Sequence, residues 1–178
     1  MIHIVTLSEL PSLVVEQVAR QLFLCYGVGA EHSAHEPRSG GPGGLDAAET
    51  VGMPPRHSTF ADDKTLYLTD EKLVLPSGPL GTPPSGGYAL PDEGVGIATS
   101  HGIELPAPIG AEEDPSAWLA FADKVARRAI HQVGFLWGLH RCVDLRCAMS
   151  APWLQDAGPS LCDFCRERSE ARIHLARS

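Results

Sequence analysis

The chain has 178 residues, enough for one domain and too few for two of ordinary size. Hydrophobic residues make up 43% and charged residues 20%, the balance of a globular domain that needs no disulfides to hold a core. A formal net charge of −8 argues against a general nucleic-acid or anionic-membrane binder. No apolar run approaches the roughly 18 residues of a membrane helix, and Met1 to Leu7 lacks the basic segment of a secretory signal. A cytoplasmic protein is expected.

Ile2 to Leu7 is β-branched and apolar and reads as a buried strand. A helix is expected over Pro11 to Cys25, with Ser8 or Ser12 as cap and Leu13, Val14, Val18, Leu22 and Cys25 at helical spacing. Cys25 reads as a small buried hydrophobe. Tyr26 to Glu36 reads as a second strand, so the chain opens as a mixed α/β domain. Residues 37–110 hold 24 of the 33 Gly and Pro residues and are broken by turns. Within them Lys64–Thr69 and Gly94–Leu105 read as strands, and Gly40–Gly44 and Pro76–Gly87 as loops. Neither loop has the strand–glycine–helix context of a phosphate-binding motif.

The clearest helix spans Pro115 to Trp137. Asp114 is its expected N-cap, with Glu112 and Glu113 beside the positive end of the dipole, and Gly138 is its stop. Trp118, Phe121, Ala122, Val125, Ala129, Gln132, Val133 and Leu136 form its apolar stripe, which puts Lys124, Arg127 and Arg128 on the other side.

Charge and cysteine both change character after this helix. Residues 1–126 carry 6 basic and 17 acidic side chains, whereas residues 127–178 carry 8 basic and 5 acidic ones. Cys142, Cys147, Cys162 and Cys165 lie within 24 residues. In a reducing compartment such a cluster is a metal site before it is a disulfide framework. Four thiolates suit one tetrahedral, closed zinc site. That site would carry a charge of −2, which Arg141, Arg146, Arg166 and Arg168 flank and offset.

The helix end reads His131-Gln132-Val133-Gly134-Phe135-Leu136-Trp137-Gly138-Leu139-His140-Arg141-Cys142, followed by Cys147-Ala148-Met149 and Cys162-Asp163-Phe164-Cys165. This order resembles the archaemetzincins, a metzincin family of zinc peptidases. Their pattern is a helix with H-E-x-x-H-x-x-G, a downstream His, then C-x4-C-x-M and a closing C-x-x-C. The resemblance covers almost the whole chain and is strongest from Ile130 to Cys165. It implies a metzincin-like (zincin) α/β single domain: a small twisted mixed sheet with an antiparallel edge strand, packed on a long active-site helix. Residues 1–138 would form the α/β part and residues 139–178 a four-cysteine zinc lobe, with Met149 on the tight turn beneath the site.

In such a helix two histidines four apart grip one zinc, a glycine turns the chain so that a third can reach it, and a Glu activates the bound water. Here Gln132 stands at the base position and Phe135 at the second ligand. Gln takes no proton and Phe offers no lone pair. His131 and His140 remain of three protein ligands, fewer than catalytic zinc ordinarily has. The spacer of twelve residues between Met149 and Cys162 is also shorter than is common in the family.

One structural zinc on the cysteines is therefore expected, together with a catalytically impaired or inactive peptidase homologue that keeps a peptide cleft along the Gly94–Leu105 edge strand. The alternatives are an active zinc peptidase with a substitute ligand, or a zinc-lobe module whose Arg-rich Cys165–Arg177 segment contacts an acidic protein or RNA. Candidate substitute ligands are His101 in the strand beside the helix, His57, and the His32, His35, Glu36 cluster.

Overall fold

The apolar run at the start forms β1 (Ile2–Thr6), buried along its whole length, in a computed structural model that describes residues 1–52, 63–76, 86–106, 115–150 and 158–177. His57, the Asp114 cap with Glu112 and Glu113, and most of the Pro76–Gly87 loop lie outside those residues. Helix α1 (Ser12–Tyr26) follows, and Pro11 rather than a serine is its N-cap. The Ser8 hydroxyl instead accepts the Asp70 N–H at 2.9 Å, tying the β1 exit to the neighbouring strand's end. Gly27, at φ 62°, closes α1 with its N–H on Phe23 O. This left-handed cap suits a residue without Cβ, and it delays β2 to Ala30–His35 instead of Tyr26.

The main sheet has the order β2-β1-β4-β7-β6. β1, β2, β4 (Lys64–Thr69) and β7 (Val95–Thr99) are mutually parallel, and β6 (Gly87–Leu90) runs antiparallel on β7. The expected antiparallel edge strand therefore exists, but Gly94–Leu105 does not form it. A turn over Pro91–Gly94, with Gly94 at φ 66° and its N–H on Pro91 O, folds β6 back along β7. β7 is thus an inner strand, buried throughout. It also stops at Thr99, where Ile103 N–H closes a turn on Ser100 O. His101 consequently lies in an exposed turn and not in a strand.

Both faces of the sheet are covered, as expected for parallel strands rich in Val, Ile and Leu. On one face Ile2, Ile4, Leu66, Leu68 and Ala98 meet α1 and the long helix α3 (Pro115–Leu136). On the other, Val5, Leu7, Tyr67, Val95 and Ile97 meet a small layer absent from the sequence reading. That layer is β3 (Leu45–Asp46), α2 (Ala47–Val51) and β5 (Leu73–Val74). The Asp46 carboxylate caps α2 by accepting the Glu49 N–H at 2.9 Å.

The C-terminal segment ends in α4 (Asp163–Arg177), which turns Cys165, Ser169 and Ile173 inward at four-residue steps. Met149, Leu161, Cys165 and Ile173 join the same core as Val18, Leu22 and Ile130. The cysteine lobe and the α/β part therefore share one hydrophobic interior. Among the described residues no helix is long and apolar enough to cross a membrane.

Candidate metal centre and the α3 motif

Two chain segments bring the four cysteines together. Cys142 and Cys147 flank a tight loop after α3, where Cys147 N–H bonds to Asp144 O at 3.0 Å. Cys162 precedes α4 and Cys165 lies in its first turn. Cys142 N–H to Met149 O (2.9 Å) closes the first loop, and Ala148 N–H to Ser160 O (2.7 Å) ties it to the segment before α4. The four sulfurs all lie within 4.8 Å of one another, the only such group of three or more metal-ligating side chains among the described residues.

The donor set fits a zinc ion. Zinc–sulfur bonds of about 2.3 Å in a tetrahedron separate the sulfurs by about 3.8 Å, and Cys142 Sγ and Cys162 Sγ are 3.7 Å apart. Met149 N–H and Cys162 N–H both donate to Cys147 Sγ at 3.4 Å, an arrangement that favours thiolate. Burial pushes the Cys147 and Cys165 thiols up in the metal-free state. Burial acts the same way on Cys162, but hydrogen bonds from its backbone and thiol neighbours outweigh it and draw that thiol down.

The arginines near this centre divide unexpectedly. Arg141, Arg146, Arg166 and Arg168 are all exposed, and Arg146 sits beside Asp144 in the solvent. The buried cation is Arg127, 3% exposed, which the apolar stripe had assigned to the solvent side of α3. Its Nη2 donates to Ser150 Oγ at 2.8 Å and more weakly to Cys147 O at 3.4 Å. Desolvation lowers its pKa, and the Cys147 charge opposes that. Arg128 is also engaged, donating to Thr99 O at 2.7 Å and His101 O at 2.8 Å. α3 has no purely solvated face here because the sheet's end and the cysteine lobe close over it.

One turn after Arg127, the same helix presents His131, buried, with Nδ1 donating to Ala148 O at 3.0 Å. That bond leaves Nε2 as the ring's lone pair. Burial pushes the imidazole down to about 4, with smaller contributions from Arg141 and Arg127, so it is neutral at pH 7. Phe135, four residues on, sets its ring edge-to-face on His131, with centroids 4.8 Å apart. Gln132 is buried against β6 and β7, and a Cβ on Gly87 would meet its side-chain amide. Gly138, at φ 71°, ends the helix with its N–H on Phe135 O, and His140 emerges exposed two residues later. Met149 is fully buried, and its sulfur packs on Gly134 of α3.

No family model matches the sequence, and no curated protein sequence matches it. The fold, however, has close counterparts among solved structures. An archaemetzincin from Methanopyrus kandleri superposes with a TM-score of 0.72 at 20% identity, over 97% of this chain and 94% of that one. A zinc-dependent peptidase from Methanocorpusculum labreanum gives 0.72 at 22% identity, over 95% and 100%. An archaemetzincin from Archaeoglobus fulgidus, complexed with malonate, gives 0.68 at 19% identity, over 94% and 98%. This chain has the archaemetzincin fold.

Within the archaemetzincin fold, Arg127 and Gly134 take up packing roles that the sequence pattern did not give them. Both carried a signal. An arginine four residues before His131 shares its helix face, and a glycine inside a helix costs about 1 kcal/mol unless something packs on it closely. Of the proposed substitute ligands, His101 points from its exposed turn and His32 and His35 lie on β2, at the sheet edge opposite β6. Cys25 is buried and donates weakly to Pro159 O at 3.5 Å, with its thiol pushed up to about 11 by burial.

Proposed function

We propose that this chain is a peptidase-derived protein that keeps one structural zinc on Cys142, Cys147, Cys162 and Cys165 and does not hydrolyse peptide bonds. The observation that carries this reading is the composition of the α3 face. Gln132 occupies the place of a general base, and the Phe135 ring lies against His131 where a second imidazole would be needed. Without a base, proton transfer typically worth 10²–10⁴ in rate is lost. With His131 and His140 as its remaining ligands, a water-activating zinc is short of the three protein donors it ordinarily has. The peptide partner of this reading adds to the outer edge of β6, in place of Gly94–Leu105.

Elemental analysis of purified protein should give one zinc per chain, with no chelator-sensitive cleavage of mixed peptides. Two zinc ions per chain, with cleavage abolished in His131→Ala, would establish an active peptidase instead. A second reading, the zinc lobe as an interaction module, is favoured by Arg166, Arg168, Arg172 and Arg177, all exposed along α4. Its mark is binding to an acidic partner that weakens steeply with salt.

A further inference from the structure

β2 contains an irregularity that gives His32 and His35 a common purpose. In a regular strand residues three apart point to opposite faces. Here the register along β1 pairs Ile4 with His32 but Val5 with Ala34, so Ser33 is an extra residue. Bulges of this kind re-aim side chains and occur preferentially beside functional sites. The extra residue puts His32, paired with Ile4, and His35, paired with Thr6, on the same face of the sheet. Both imidazoles then converge on one atom. His32 Nε2 lies 3.2 Å and His35 Nδ1 2.8 Å from Thr6 Oγ1. These three residues line a groove of about 570 Å³, and Glu9 and Glu16 line it too. Thr6 itself is buried, whereas both histidines and both carboxylates are open to solvent.

We propose that this groove is a second metal site, in which His32 Nε2, His35 Nδ1 and a carboxylate of Glu9 or Glu16 hold a divalent transition-metal ion. Two imidazoles and a carboxylate are the donor set that suits zinc, nickel or copper. The imidazole pair is already assembled. Among the described residues the two histidines and a carboxylate do not stand as a closed three-donor group, so Glu9 or Glu16 completes the set by turning its side chain into the groove. Thr6 Oγ1 has one proton to give. It therefore donates to one imidazole lone pair and accepts from the other ring's N–H, and metal binding replaces both bonds once that second ring carries its proton on its other nitrogen. This holds the two rings at one spot at the mouth of the groove. The site uses β1, β2 and the start of α1, and none of it belongs to α3 or the cysteine lobe. It is thus independent of whether the α3 motif is active.

The test is calorimetric titration of Ni²⁺ into the full chain already carrying zinc on its cysteines, in parallel with His32→Ala, His35→Ala and His131→Ala. One further ion per chain is expected in the wild type. Since even outer-shell partners of a metal are worth on the order of tenfold in affinity, each of the first two substitutions should weaken that ion at least tenfold. His131→Ala should leave it unchanged. Ni²⁺ should also broaden the His32 and His35 imidazole resonances before any other histidine's. No uptake of a further ion, equal uptake by His32→Ala and His35→Ala, or loss of the ion in His131→Ala would each overturn the proposal. The last of these would move the second metal to α3 and refute the inactive-peptidase reading as well.

Discussion

Gly134 offers a test in which two well-known effects predict opposite signs. In an exposed helix interior, Gly→Ala stabilises by about 1 kcal/mol. Here a Cβ at position 134 would run into Met149 Sδ and Cε and come within 3.0 Å of Tyr26 Oη. None of these atoms has an easy retreat. Met149 is fully buried, its N–H is committed to Cys147 Sγ, and the Tyr26 hydroxyl donates to Ile130 O at 2.6 Å. Overpacking of such a core costs about 1–3 kcal/mol, and a Cβ overlapping the buried Met149 sulfur falls at the upper end, about 2–3 kcal/mol, so the steric effect wins. Gly134→Ala should destabilise by about 1–2 kcal/mol net, lowering Tm by roughly 2–8 °C for a domain of this size. In a Met149→Ala background the sulfur and its methyl are gone and only the Tyr26 Oη contact at 3.0 Å remains, so the same change should cost little or become stabilising. The pair should therefore show a coupling of about 1–3 kcal/mol in a double-mutant cycle. Urea unfolding of the zinc-loaded protein, followed by tryptophan fluorescence, measures all four corners. A stabilised Gly134→Ala single variant, or additive effects across the cycle, would show that Met149 does not rest on α3 as described.

Cys162→Ser should lower zinc from one ion to none per chain and loosen the residues after Gly138. Hydrogen exchange of α4 should rise towards that of a free helix, because structural zinc contributes on the order of 10 kcal/mol in small modules. Phe135→His should let α3 bind a metal ion and remain inactive, since Gln132 still takes no proton; a variant with unchanged metal content would mean that position 135, His131 and His140 do not converge. Asp63 links stability to pH. Burial opposes its ionisation, but the Met1 ammonium at 2.7 Å and His3 at 3.1 Å prevail and hold its carboxyl down to about 2. Its folded pKa is below the unfolded value, so its contribution, about 1 kcal/mol with the half-exposed Met1 ammonium screened by solvent, is present above the unfolded pKa and is lost as pH falls through 2. Asp63→Asn should therefore be clearly less stable than wild type at pH 6, with the gap closing in acid denaturation near pH 2.

Local signals carried the long elements and the metal cluster. The bounds of β1, α1, β4 and α3 agree with the sequence expectation within one residue, since a long helix leaves its apolar period, and a buried strand its run of β-branched and apolar residues, in the chain. The cysteine spacing identified four sulfurs that do meet within 4.8 Å, because two short loops at fixed intervals leave little freedom in how the thiols can gather. The small elements were not legible. β6, with four residues, is a strand only because the Pro91–Gly94 turn lays it on β7, and β3, α2 and β5 are shaped by the apolar face they cover. For the same reason the sequence put the sheet edge one strand too far in. The environment of individual polar groups was out of reach as well. Arg127 has the composition of a surface residue, and only the closure of the cysteine lobe over α3 buries it. His32 and His35 stand three apart, which sequence periodicity assigns to opposite faces. The one-residue slip between β1 and β2 that reunites them is a property of strand pairing, and pairing is decided by the partner strand, not by the strand's own residues.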